Sequence, residues 1–129
     1  MANQFVVQLK NEPGAMATLA EALAARGVDL RAIGGGGIGD SGHVIMTTAD
    51  DEATKRVLEE GSYTFIEGES ILAEVDDRPG GMAALARRLA DAGVNIYGHL
   101  FLGRWGDRAM FAFVVDQPEV ARPILERKS

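Results

Sequence analysis

Phe5, Val7 and Leu9 alternate with Val6, Gln8 and Lys10, the two-residue period of a strand buried on one face. Pro13-Gly14 interrupts that rhythm. From Met16 the apolar positions switch to helical spacing, Met16, Leu19, Ala20, Leu23 and Ala24, with Thr18, Glu21, Ala22 and Ala25 on other faces. Gly27 supplies the left-handed residue that ends such a helix. Val28-Asp29-Leu30 alternates again and opens a second strand. It leads through the corner Gly39-Asp40-Ser41-Gly42 into a third, from about His43 to Thr48. Asp50 is the expected N-cap of a second helix, with Asp51 and Glu52 near the positive end of its dipole. Gly61 ends that helix, and Tyr63-Thr64-Phe65-Ile66 predicts a fourth strand.

The same patterns then start over. Shifting the chain against itself by 66 residues lays Asn11-Glu12-Pro13-Gly14 on Asp77-Arg78-Pro79-Gly80 and Gly27-Val28-Asp29-Leu30 on Gly93-Val94-Asn95-Ile96. Ten of the eighteen positions from 11 to 28 are identical to their partners, so one supersecondary unit occurs twice. In the second copy Ile71, Ala73 and Val75 precede the turn, and Met82, Leu85, Ala86, Leu89 and Ala90 make the helical stripe. A hairpin then turns at Gly103-Arg104-Trp105-Gly106-Asp107, a third strand runs from about Arg108 to Val115, and Asp116 is the expected cap of a last helix, with Glu119 in its first turn. That helix holds Pro118 near its start and Pro123 inside it, where a proline costs about 3 kcal/mol. No fourth strand remains to be assigned. The expected fold class is therefore α+β: two ferredoxin-like βαββαβ units in tandem, residues 1–69 and 70–129. Helices cover one face of each antiparallel sheet, and the second unit lacks its own last strand.

Composition narrows the function. The chain has 129 residues and 47% apolar positions, enough for a real core, and no apolar run approaches the ~18 residues of a spanning helix. The N-terminus Met1-Ala2-Asn3-Gln4 carries no secretory pattern, which makes the cytoplasm the expected location. With no cysteine, disulfide and thiolate chemistry are excluded. A net charge of −6 with scattered basic residues argues against nucleic acid and anionic membranes as partners. Phe5 and an acidic total also serve an RNA-recognition reading poorly, since that needs paired stacking aromatics and a basic face.

The two Pro-Gly turns are the most informative chemistry. A strand ending in Asn/Asp-x-Pro-Gly and running straight into a helix exposes unpaired backbone N–H groups, which attract a carboxylate. Glycine lets a ligand approach closely, while Asn11 or Asp77 contacts an amino group or fixes the turn. The alternative is plain punctuation, with the Asx residue capping the helix and Met16 or Met82 belonging to the core.

Taken together, strand, Asn/Asp-x-Pro-Gly, amphipathic helix and Gly-Val-Asn/Asp-Ile/Leu resemble the ACT domain signature, over Leu9 to Leu30 and again over Val75 to Ile96. The tandem arrangement resembles the small stand-alone proteins made of two ACT domains. The resemblance implies a regulatory, non-catalytic module that binds a free amino acid between the Pro-Gly loop of one unit and the early second strand of its partner. It implies no cofactor and no metal. By matching motif position, the implied ligand residues are Asn11, Gly14, Ala15, Met16, Asp29 and Leu30 in the first copy. In the second they are Asp77, Gly80, Gly81, Met82, Asn95 and Ile96. A homodimer is implied, with a regulated enzyme or transcription factor as partner; a non-binding interaction scaffold is the alternative. Asp29 and Asp77 depart from the asparagine that binding members often show. If each pocket joins opposite units, one pairs Asn11 with Asn95, able to hold both ends of a zwitterion, and the other pairs Asp77 with Asp29, which repel a carboxylate.

Other features point less sharply. Gly34-Gly35-Gly36-Gly37-Ile38-Gly39 lacks the Gly-Lys-Ser/Thr ending and following helix of a phosphate loop, and reads as a flexible or bulged strand. His43 and His99 occupy non-corresponding positions and lack metal-ligand spacing. Nothing supplies an activated nucleophile or an oriented base, so no enzyme is expected. Apolar residues on both faces of the second copy's strands, Leu100 to Leu102 and Ala109 to Val115, ask for a second cover, either the other unit or another chain. Trp105 is a candidate anchor for such an interface, or a cap on the local core, and His99 with Tyr97 and Phe101 could line a pocket there.

Overall fold

The computed structural model describes residues 3–126, in the order β1 (Asn3–Lys10), α1 (Ala15–Ala25), β2 (Leu30–Ile38), β3 (Ser41–Thr48), α2 (Asp51–Glu60) and β4 (Phe65–Glu69), then β5 (Ile71–Asp76), α3 (Gly81–Asp91), β6 (Ile96–Trp105), β7 (Arg108–Val115) and α4 (Pro118–Leu125). The chain divides into two compact units, Met1–Gly68 and Glu69–Ser129. The architecture expected from the sequence is the one found: βαββαβ in the first unit and βαββα in the second.

In unit 1 the sheet order is β2-β3-β1-β4, which makes the glycine-rich β2 an edge strand. β3 runs antiparallel to both β1 and β2. The inward positions of β1 and β3, Phe5, Val7, Val44 and Met46, meet Leu19 and Leu23 of α1 and Val57 and Leu58 of α2 in one core. Burial of these residues holds the two helices on one face of the sheet. Asp50 caps α2 as expected, its Oδ1 accepting from the Ala53 N–H at 3.0 Å. Gly61 is the last residue of that helix end, but the left-handed residue is its neighbour Ser62, at φ 58°.

Unit 2 repeats the arrangement in the order β5-β7-β6, and no strand follows α4 among the described residues. Its core gathers Ile71, Ala73 and Val75 of β5, Phe113 and Val115 of β7, Leu85 and Leu89 of α3, and Ala121 and Leu125 of α4. On the other face of this sheet Leu100, Ala112 and Val114 are buried as well.

One difference between the copies re-phases the second. β6 carries two register shifts, at Ile96/Gly98 and Phe101/Gly103, whereas β2 carries only the counterpart of the first, at Leu30/Ala32. Leu102 is thus the extra residue of a β-bulge. Upstream of it α1 and α3 match 66 residues apart; beyond it Ser41–Thr48 matches Arg108–Val115, 67 residues apart. This corrects the expected cap of α4. The N-cap is Gln117, the true counterpart of Asp50, and its side chain makes no capping bond. Asp116 instead accepts the Asn95 N–H through Oδ1 at 2.8 Å, while its own N–H bonds to the Asn95 carbonyl. The glycine run is also more regular than expected. Gly34 to Gly37 pair in unbroken register with Ile45 to Gly42, and the bulge of β2 lies upstream of them.

Candidate functional site

Both Pro-Gly loops enter their helices the same way. Gly14 (φ 90°) and Gly80 (φ 88°) occupy the N-cap positions in the left-handed region, and neither helix receives a side-chain cap. This rules out the Asx-cap reading of Asn11 and Asp77. After each glycine the turn closes through the backbone: the Ala15 N–H bonds to the Glu12 carbonyl and the Thr18 N–H to the Gly14 carbonyl, with Gly81 to Arg78 and Ala84 to Gly80 in unit 2. The intervening N–H groups of Met16 and Ala17, and of Met82 and Ala83, point out of the helix start.

Asn11 and Asp77 tie their loops to the hairpin tips instead. The Asn11 N–H bonds to the Asp40 carbonyl, and its Nδ2 donates to the Gly39 carbonyl at 2.9 Å. Its side chain lies flat on Gly37, where an added Cβ would fall 2.6 Å from Cγ. In unit 2 the Asp77 N–H bonds to the Asp107 carbonyl, and Oδ2 accepts from Arg104 Nε at 2.8 Å. Arg104 is the register counterpart of Gly37, since Gly37 pairs with Gly42 as Arg104 pairs with Ala109. The amide-on-glycine contact of one copy has become an ion pair in the other.

Two clefts flank the first loop. One of about 670 Å³ is lined by Glu12 to Ala15 and Thr18 of the loop and helix start, Asp40 and Ser41 of the hairpin, and Ser62 to Thr64 before β4. The other, about 430 Å³, opens between Asn11, Ala15 and Met16 on one side and Ile33, Gly35 and Gly36 of β2 on the other, over Leu9 and Val44. Both fall in the size range of small-molecule sites. Met16 is 37% exposed at the mouth of the second cleft, so the core reading of this methionine does not hold.

The remaining residues implied by the resemblance stand elsewhere. Leu30 begins β2 and Asp29 immediately precedes it, at the end of the sheet opposite the loop of the same unit, because Leu30 pairs with Thr48 whereas Ile38 pairs with Ser41 beside Lys10. Leu30 packs on the unit 1 core, and Asp29 faces Arg31 at 3.4 Å. Ile96 likewise packs on the unit 2 core. Gly81 is buried, and a side chain there would collide with the Asp76 carbonyl. Lys10, Glu12 and Ile33, which line this second cleft, are not among the ligand residues the resemblance implies, and Gly35 and Gly36 enter it as part of the glycine run that reads in sequence as a flexible or bulged strand.

No family model matches the chain, and no curated protein matches it. Solved structures do. A Bacteroides thetaiotaomicron protein is similar with a TM-score of 0.72 and 18% identity, over 97% of this chain and 86% of that one. The regulatory subunit of aspartate kinase from Thermus thermophilus, in ligand-free form, gives a TM-score of 0.60 and 20% identity over 97% and 89%. The same subunit from Thermus flavus gives 0.63 and 19% over 98% and 92%. The tandem ACT-type fold read from the sequence is thus the fold these structures share with the chain.

Proposed function

We propose that this chain is a regulatory protein that acts by binding a free amino acid, and that the first unit holds the ligand in the cleft between its Pro-Gly loop and β2. One observation carries the reading: a 430 Å³ cleft opens where the Asn11–Met16 loop faces the strand, lined by apolar side chains with a few polar groups at its mouth. The likeness in fold to regulatory subunits of aspartate kinase supports a role as the sensing partner of an amino-acid metabolic enzyme. A homodimer in the cytoplasm is the working form in this proposal.

Thermal-shift screening of the full chain against the twenty amino acids tests it. A ligand at 100 times its dissociation constant adds about 2.7 kcal/mol of stability, so the binder stands out as a raised Tm. Calorimetry then compares Asn11→Ala with Asp77→Ala. The first variant loses affinity and the second keeps it, because Asn11 lines the cleft whereas Asp77 does not and its carboxylate is engaged by Arg104. Equal losses in the two variants would remove unit 1 as the preferred site.

A further inference from the structure

The second copy shows what the empty space in the first is shaped to hold. Register matches the pair Gly35–Val44 to Phe101–Phe111 and Gly37–Gly42 to Arg104–Ala109. In unit 2 the Phe101 ring meets Phe111 edge-on with centroids 5.5 Å apart. Arg104 Cζ stands 4.8 Å from the Phe101 centroid, and its Nε reaches Asp77 of the loop. A ring, a cation and a carboxylate thus bridge strand and loop. In unit 1 none of these side chains exists, and the cleft occupies their place between Met16 and Ile33, both exposed by more than a third.

Unit 1 cannot supply the ring from its own strand. A Cβ on Gly35 would collide with the His43 carbonyl oxygen, and one on Gly37 would run into Asn11. The cleft stays open because the facing strand's backbone restricts position 35 to glycine and the Asn11 side chain occupies the space beside Gly37. At its mouth Lys10 and Glu12 present opposite charges, and neither forms an ion pair among the described residues.

We infer that the ligand of this cleft is an aromatic amino acid, its ring seated over Val44 where the Phe101 ring sits over Phe111, and its carboxylate and ammonium set against Lys10 and Glu12. The inference rests on the proposed function and narrows it to one ligand class. Unit 2 carries its own ring in that place, so one ligand binds per chain.

Calorimetry on the full chain with L-phenylalanine, L-tyrosine and L-tryptophan, against L-leucine, L-threonine and L-lysine, decides the class. The expected result is one site per chain and at least tenfold tighter binding for an aromatic member. Tighter binding of a non-aromatic member overturns the inference and leaves the amino-acid reading standing, whereas no binding by any of the twenty amino acids overturns both. Placement is tested by Ile33→Ser, which weakens aromatic binding about tenfold, and by Phe101→Ala, which leaves it unchanged. The reverse pattern, or an unchanged affinity in Ile33→Ser, moves the ligand out of this cleft. Should Ile33→Ser fail to fold by circular dichroism, Met16→Ala at the exposed opposite wall gives the same reading.

Discussion

Gly14 and Gly80 show how much a single backbone angle decides. Each sits near φ +90° with open space where a Cβ would go, so an alanine there meets strain but no neighbour. Gly14→Ala and Gly80→Ala are each expected to lose about 1–2 kcal/mol in chemical denaturation, the cost of the left-handed region for a residue with a side chain. A loss well under that would mean the loop relaxes to another turn. At this scale the sequence was legible only in part. Pro-Gly between a strand pattern and a helix pattern located the loop, because few other dipeptides stop one and start the other. What Asn11 and Asp77 do was not legible, since both bond to hairpin tips 28 and 27 residues away in the chain.

Elements followed the hydrophobic pattern wherever one face of each was dry. The alternation from Phe5 to Leu9 and a helix after Pro13-Gly14 appear at the expected places, but of the stripe from Met16 to Ala24 only Leu19 and Leu23 are buried, and Ala22, expected on another face, packs on the core while Met16 and Ala24 are exposed. The β6 bulge was hidden for the opposite reason. Leu100, Phe101 and Leu102 are all apolar, so an inserted residue leaves no break in the alternation. The missed bulge then displaced the predicted cap of α4 by one residue. This separates two aspartates that look alike in sequence. Asp50→Ala removes a true capping bond and is expected to lower stability by about 1 kcal/mol. Asp116→Ala removes a bond to the start of β6 rather than a helix cap, so it should leave the amide exchange of α4 unchanged while speeding exchange at Asn95. Faster exchange in the first turn of α4 instead would restore Asp116 as its cap.

At the scale of the whole molecule, in a chain with net charge −6, one carboxylate links α1 to α2 and ties their stability to pH. Glu60 at the end of α2 bonds to Arg26 at the end of α1, and that hydrogen bond, with the guanidinium charge, holds the Glu60 carboxyl below its ordinary range. A lowered carboxylate pKa contributes stability above the unfolded value, about 4.3, and loses it as pH falls through the folded one. Wild type should therefore exceed Glu60→Gln in urea midpoint at pH 7 by a small, salt-sensitive margin that closes below about pH 4. A margin that widens in acid would refute this assignment.

The bulge at Leu102 also governs how the two copies can exchange parts. A lone added residue would turn every later side chain of the strand inside out; doubling two residues against one partner restores the parity at once. A graft that carries 96–115 whole into the place of 30–48 keeps its inward and outward faces. One spliced between Phe101 and Gly103 inherits the wrong phase, so the duplicated hairpins are interchangeable as modules and not as fragments.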